Sequence, residues 1–163
     1  MTPTETRAEI ERLHAAGFAW SMACCGRDRE RAEDVLQTSY LKILDGRARF
    51  EGRSSFKTFL FGVIRRTAAE ERRHAALAVL FASRDGARPE PASGDDPVGR
   101  LALAAALERL PRRQREVLDL VFAQGLTLEE SAETLGISTG SAAAHYARGK
   151  KRLAAILRRR KEP

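Results

Sequence analysis

Cysteine is nearly absent from this chain of 163 residues, and the two that occur, Cys24 and Cys25, are neighbours. Adjacent cysteines seldom close a bridge with each other and no third is available, which excludes an internal disulfide framework. That usage fits a reducing cytoplasm. Long apolar runs are missing too, so no membrane insertion is expected. The N-terminus, "MTPTETRAEIERLH", is polar and acidic where a secretory leader needs an apolar core, so no leader is expected. No alternating β-branched run survives more than a few positions, so strands are not expected. Catalytic constellations are missing as well: there is no glycine-rich phosphate loop, no paired histidine and nucleophile, and no carboxylate pair with a pocket. Neither enzyme activity nor a cofactor is expected. A metal site at the cysteines needs more ligands than His14 alone on that helix supplies. A thiol or metal sensor built on Cys24 and Cys25 stands as an alternative to a buried, inert pair.

What the sequence has is positive charge and helical periodicity. The formal net charge is +7. From Arg148 to Lys161 there are eight Lys or Arg residues and no Asp or Glu. A basic run of this kind is either a solvated face or the footprint of an anionic partner, and nucleic acid is the first candidate.

The apolar spacing predicts an all-α chain of two small helical domains joined by a flexible linker, the second domain carrying a helix-turn-helix. In the first domain, residues 1–82, a helix is expected from about Thr4 to Cys25, with Ile10, Leu13, Gly17, Trp20, Ser21 and Cys24 recurring at helical spacing. Gly26 offers a stop and Asp28 a cap. A second helix carries Ala32, Val35, Leu36, Tyr40, Ile43 and Leu44. The stretch "GRARFEGRSS", Gly46 to Ser55, reads as a loop with three arginines, and Ser54 or Ser55 caps the next helix. There Phe56, Phe59, Leu60, Val63, Ile64 and Thr67 form the clearest amphipathic stripe in the chain. The apolar segment at 76–82 either extends that helix or docks on a partner. Residues 83–99, rich in Gly, Pro, Ser and Asp, read as the linker. The second domain, residues 100–163, opens with a helix carrying Leu101, Leu103 and Leu107. Pro111 starts the next, with Val117, Leu118, Leu120 and Val121.

Thr127 and Glu130 then form a Thr-x-x-Glu capping box for a short helix through Leu135. Ala132 is small enough for a second helix to approach, and Gly136 tolerates the positive φ of a tight turn. Ser138 or Thr139 caps a last helix reaching about Arg159. This is the pattern of a helix-turn-helix, with an ordinary helical hairpin as the alternative. Leu128, Leu135, Ile137, Ala142 and Tyr146 would seal its inside, and the basic tail favours DNA.

Two segments carry a family resemblance. "LERLPRRQREVLDLVFAQGLTLEESAETLGISTGSAAAHYARGKKRL" resembles the C-terminal promoter-binding domain of bacterial sigma factors, nearest to the extracytoplasmic-function (ECF) group. "RERAEDVLQTSYLKIL … FEGRSSFKTFLFGVIRR" resembles the matching domain that binds core RNA polymerase and the melted promoter. Together they span about Glu9 to Leu157, in the family's order. The resemblance implies an alternative sigma factor that binds core polymerase, recognises a two-part promoter DNA and helps melt it.

It also implies roles for residues. Glu33, Asp34 and Gln37 share an outer helix face that would meet a coiled coil of the polymerase's largest subunit, with Leu41 as an apolar anchor. The loop Phe50 to Ser55 and the helix after it would face the single-stranded downstream element, where a base is flipped out. Phe50, Arg53, Ser54, Phe61, Arg65 and Arg66 are the groups available there. Phe61, off the main stripe, is either a stacking residue or a core residue. In the last helix, Ser141, His145 and Arg148 would read the duplex upstream element. Thr139 and the helix N-terminus would hold phosphate, and Lys150, Lys151 and Arg152 would add sequence-blind attraction. An anti-sigma protein or other regulatory partner is expected by analogy.

The chain departs from the family pattern at two places. Arg66 stands where asparagine is usual and Glu70 where aspartate is usual, in "IRRTAAEERRH". Ala143 and His145 stand where lysine and arginine are usual in the recognition helix. Alanine cannot donate to a guanine, although it can touch a thymine methyl. A stand-alone helix-turn-helix regulator remains the main rival; it would bind duplex DNA without polymerase.

Overall fold

The computed structural model describes residues 1–82 and 98–159, the side chains of 82 and 98–102 excepted. Every element among them is helical. The chain divides into two compact units, Met1–Ala92 and Ser93–Pro163. The expected linker, 83–99, lies outside the described residues except at 98 and 99. Those two already belong to the first helix of the second unit.

In the first unit, α1 (Pro3–Arg12) starts from a reciprocal cap. The Glu5 amide donates to Thr2 Oγ1 at 3.2 Å, and the Thr2 amide donates to Glu5 Oε2 at 2.7 Å. The single helix expected to Cys25 is interrupted at Leu13, so that α2 runs His14–Cys24. The rod is loosened there without being broken. The Leu13 amide still reaches Glu9 O at 3.0 Å, and Leu13 O accepts from Gly17 at 2.8 Å.

Two consecutive positive-φ residues, Gly26 and Arg27, turn the chain. Asp28 then caps α3 (Arg29–Leu44) through the Arg31 amide at 3.1 Å. Ser55 caps α4 (Phe56–Ala82), accepting from the Thr58 amide at 3.1 Å.

The core of this unit lies where α2, α3 and α4 pack on one another. Gly17 lets α2 close on α3: a methyl group there would meet Leu36 Cδ1 at 3.3 Å and the Tyr40 hydroxyl at 3.4 Å. Trp20 and Phe61 are both fully buried and stack with centroids 6.0 Å apart. The indole N–H of Trp20 donates to Phe61 O at 3.1 Å. Ser21 Oγ donates to Ala32 O at 2.8 Å, so the buried hydroxyl has a partner. Leu44, placed in the α3 stripe from the sequence, is instead 45% exposed in the helix's last turn. The apolar segment at 76–82 does extend α4, and its described side chains are exposed, Phe81 to 89%.

In the second unit, α5 (Val98–Glu108) precedes α6 (Arg112–Leu118). Pro111 takes the cap position of α6 rather than its first turn. The helix then widens into a π turn, Asp119–Ala123, closed by the Gln124 amide on Asp119 O at 3.0 Å. Next come α7 (Leu128–Leu135) and α8 (Thr139–Arg159). Leu110, Val117, Leu118, Leu120, Leu126, Leu135 and Ala142 are buried, but Leu103 is exposed and Leu101's side chain lies outside the described residues. Gly149 is why α8 can lie directly on α6. A methyl group there would meet Leu118 Cδ1 at 3.1 Å and Gln114 Cβ at 3.2 Å.

Candidate nucleic-acid and partner interfaces

The helix-turn-helix is assembled by local chemistry. The Thr127 amide donates to Glu130 Oε2 at 2.9 Å, and the Glu130 amide donates to Thr127 Oγ1 at 3.1 Å, which completes the capping box of α7. Gly136 ends α7 at φ 65° and ψ 37°, the left-handed region that a side chain resists. The Ile137 amide returns to Ala132 O at 3.0 Å. Ser138, not Thr139, caps α8, accepting from the Ser141 amide at 3.1 Å. Thr139 is the first residue of the helix and is exposed beside that N-terminus.

The three consecutive alanines of α8 have different surroundings. Ala142 is fully buried, Ala143 half-buried, and only Ala144 is exposed. A larger side chain at 142 would drive α8 off its neighbours. The exposed strip runs Ser141, Ala144 and Arg148 at helical spacing and ends on the adjacent Lys151 and Arg152, three and four positions after Arg148. His145 is half-buried, and its Nδ1 is covered and lacks a hydrogen-bond partner among the described residues. Lys150 turns toward Tyr146, with Nζ 5.1 Å from the ring centroid, and Tyr146 stacks on Phe122.

On α3, Glu33, Asp34, Gln37 and Leu41 are all exposed along one side. Leu41 is 52% exposed, an apolar side chain presented to solvent. Glu33 is paired with Arg29 at 2.8 Å. Burial pushes the Glu71 carboxyl up, and the nearby Asp34 charge adds to that. Beside this face lies a groove of about 390 Å³ lined by His14, Phe18, Arg29, Glu33, Leu36, Gln37 and Tyr40. His14 Nδ1 and the Tyr40 hydroxyl are 3.1 Å apart, and burial pushes the Tyr40 phenol up to about 12.

The groups named for the downstream element separate into three kinds. Phe61 is core, not a stacking residue for DNA: it is fully buried against Trp20. The α4 helix is covered by α2 on one side and α3 on another, so more than one stripe of it goes inside. Phe50 is half-buried in a ring cluster, 5.4 Å from Phe56 and 5.3 Å from Phe59. Arg53 is exposed and paired with Glu51 at 2.9 Å, Ser54 is half-buried, and Arg65 is half-buried on α4. Arg66 is exposed and lines a pocket of about 340 Å³ together with Lys42, Arg47, Arg49, Phe59 and Glu70.

Sequence reasoning missed Lys42, Arg47 and Arg49. The first two arginines of "GRARFEGRSS" are the sequence signal for Arg47 and Arg49. The last turn of α3, the start of the loop and the middle of α4 meet only in the folded chain.

Cys24 and Cys25 are buried, and burial pushes the Cys25 thiol up, away from the reactive thiolate. Among the described residues no His, Cys, Asp and Glu cluster has the geometry of a metal site. No described helix is long and apolar enough to cross a membrane.

Residues 11–77 match the family profile "Sigma-70 region 2", and residues 100–153 match "Sigma-70, region 4". The RNA polymerase sigma factor CarQ of Myxococcus xanthus is 33% identical over 147 residues, covering 88% of this chain and 84% of that protein. This chain belongs to the ECF group of the sigma-70 family. The ECF RNA polymerase sigma factor SigX of Bacillus subtilis is 29% identical over 135 residues, 77% of this chain and 70% of the relative. The sigma factor RpoE of Bartonella quintana, solved with the anti-sigma factor NepR, has the same fold: TM-score 0.77 at 23% identity, covering 94% of this chain and 97% of that one. CnrH, solved with the cytosolic domain of CnrY, aligns with a TM-score of 0.66 at 20% identity, over 96% of this chain and 89% of the other. This family member is an alternative sigma factor acting in transcription initiation. The rival reading as a stand-alone regulator is not favoured.

Proposed function

We propose that the first unit docks on core RNA polymerase through Glu33, Asp34, Gln37 and Leu41, and that the second unit lays α8 in the major groove of the upstream promoter element. The pocket beside Arg66 takes an unstacked base of the downstream element. The protein acts in the cytoplasm as a non-catalytic subunit. It has a regulatory partner of the anti-sigma type, a class with which a structural neighbour was solved.

The observation that carries this reading is the division of charge. An acidic, partly apolar face on α3 suits a basic protein helix, while the basic strip of α8 and the basic pocket suit DNA. Within α8, Arg148, Lys151 and Arg152 project from the exposed strip, and Ser141 is the short polar group nearest its N-terminus. Thr139 and the first amides hold phosphate. His145 and Lys150 are supporting groups, since one is half-buried and the other is engaged with Tyr146. Arg53 and Ser54 contact the strand leaving the pocket, and Phe50 holds the loop against α4. Tethering two modest DNA contacts through one polymerase gives a complex neither unit supports alone.

Co-sedimentation with core polymerase tests the docking face. The charge-reversal pair Glu33→Lys and Asp34→Lys should abolish co-sedimentation while leaving the helical signal unchanged. Retained binding by the folded variant would refute the assignment of this face.

A further inference from the structure

The α3 face carries a cation among its carboxylates, and that cation sits in a built place. Arg29 Nε donates to Glu33 Oε1 at 2.8 Å. The same guanidinium lies over the ring of Phe18, on α2, with its central carbon 5.6 Å from the centroid. All three residues line the groove of about 390 Å³ beside the face. A carboxylate at the edge and an aromatic face beneath are what a guanidinium takes in preference to an ammonium. Gln37 and Tyr40, also in the lining, add acceptor oxygens for its remaining N–H groups.

The hold on Arg29 is weak. Its side chain is 77% exposed and that of Glu33 54%, and an ion pair in that much water contributes little. Arg29 is also the first residue of α3, where the helix dipole disfavours a cation. An arginine four positions before a glutamate is the less favourable order of such a pair. The groove is thus shaped for a guanidinium and filled by one that leaves easily.

We propose that Arg29 is an internal competitor: in the free chain it fills the guanidinium site of the groove, and docking exchanges it for an arginine of the partner's basic helix. This rests on the reading that the α3 face docks on core RNA polymerase. The exchange makes the face selective. A basic surface that brings only loosely placed lysines gains little by displacing Arg29, whereas an arginine held rigidly on a helix takes both Glu33 and the Phe18 ring.

The test is equilibrium binding to core polymerase, with each full-length variant competing against a labelled wild-type chain. Arg29→Ala should bind roughly fivefold more tightly than the wild type, because the competitor is gone. In the Arg29→Ala background, Phe18→Leu keeps the apolar bulk, removes the ring and should weaken binding by about threefold. With Phe18→Leu and Glu33→Gln both in place, removing Arg29 should gain less than about twofold, because nothing is left to compete for. A gain of the same size in both backgrounds would mark the removal of one positive charge from an acidic face, and overturns the proposal. So does an Arg29→Ala variant that binds no more tightly than the wild type, or a Phe18→Leu change without effect in its background. These results bear on the proposal alone when the wild type binds and the folded Glu33→Lys, Asp34→Lys pair does not. A wild type that fails to bind, or a folded charge-reversal pair that still binds, overturns the docking reading and the proposal with it.

Discussion

The two units present basic faces of opposite shape. The first offers a concave pocket assembled from α3, a loop and α4, with guanidinium groups and an ion-paired carboxylate around it. The second offers a convex helix whose exposed strip passes from the short side chains Ser141 and Ala144 to the cations Arg148, Lys151 and Arg152. The Lys42–Glu70 pair ties α3 to α4 across the pocket, whereas the cations of α8 lie along a single helix. Their interiors differ in the same sense. The first unit is built around the large Trp20–Phe61 pair, the second around close approach of α8 at Ala142 and Gly149.

That contrast can be broken from either side. The largest effect should come from Trp20→Ala, which removes a fully buried ring and its hydrogen bond to Phe61. Losses of this kind cost about 3–5 kcal/mol. Denaturant melts should show the first unit's transition shifted or lost, with the second unit's kept. The converse is Gly149→Val, which forces atoms against Leu118 and Gln114. Overpacking of this kind costs about 1–3 kcal/mol, and it should destabilise the second unit alone.

Thr127→Ala removes the cap of α7 and should cost about 1 kcal/mol, read as a lower melting temperature of the second unit. Arg148→Ala or Lys151→Ala should leave folding intact. Each should weaken promoter binding by the same factor on every sequence and lower the salt slope by about 1.

The smallest effect is alkaline. The Tyr40 phenol is raised from an ordinary value near 10 to about 12 by burial. The folded state therefore holds that proton more tightly than the unfolded chain. The resulting stability is complete below pH 10 and is lost as pH climbs through 12. Tyr40→Phe should flatten this part of the first unit's pH profile.

Local chemistry was readable from the sequence, and so were the family and the helical class. The Asp28 cap, the Thr127–Glu130 box and the Gly136 turn each involve residues within a few positions of one another, and all three form as expected. What escaped reading depends on partners distant along the chain. A stripe analysis assumes one covered helix face, and α4 is covered on two, which is why Phe61 is core. Lys42 and Glu70 are 28 positions apart, and no periodicity links them. The interruption at Leu13 and the π turn at Asp119–Ala123 are small departures within otherwise helical spacing. They leave the apolar pattern almost unchanged, so the pattern does not reveal them.

Run-off transcription on a promoter library, with core polymerase alone, with this protein alone and with both, tests the central claim most directly. The account predicts initiation only with both, at templates sharing an upstream and a downstream element. Tight binding of the free chain to duplex DNA, with no effect on where core polymerase starts, would contradict it.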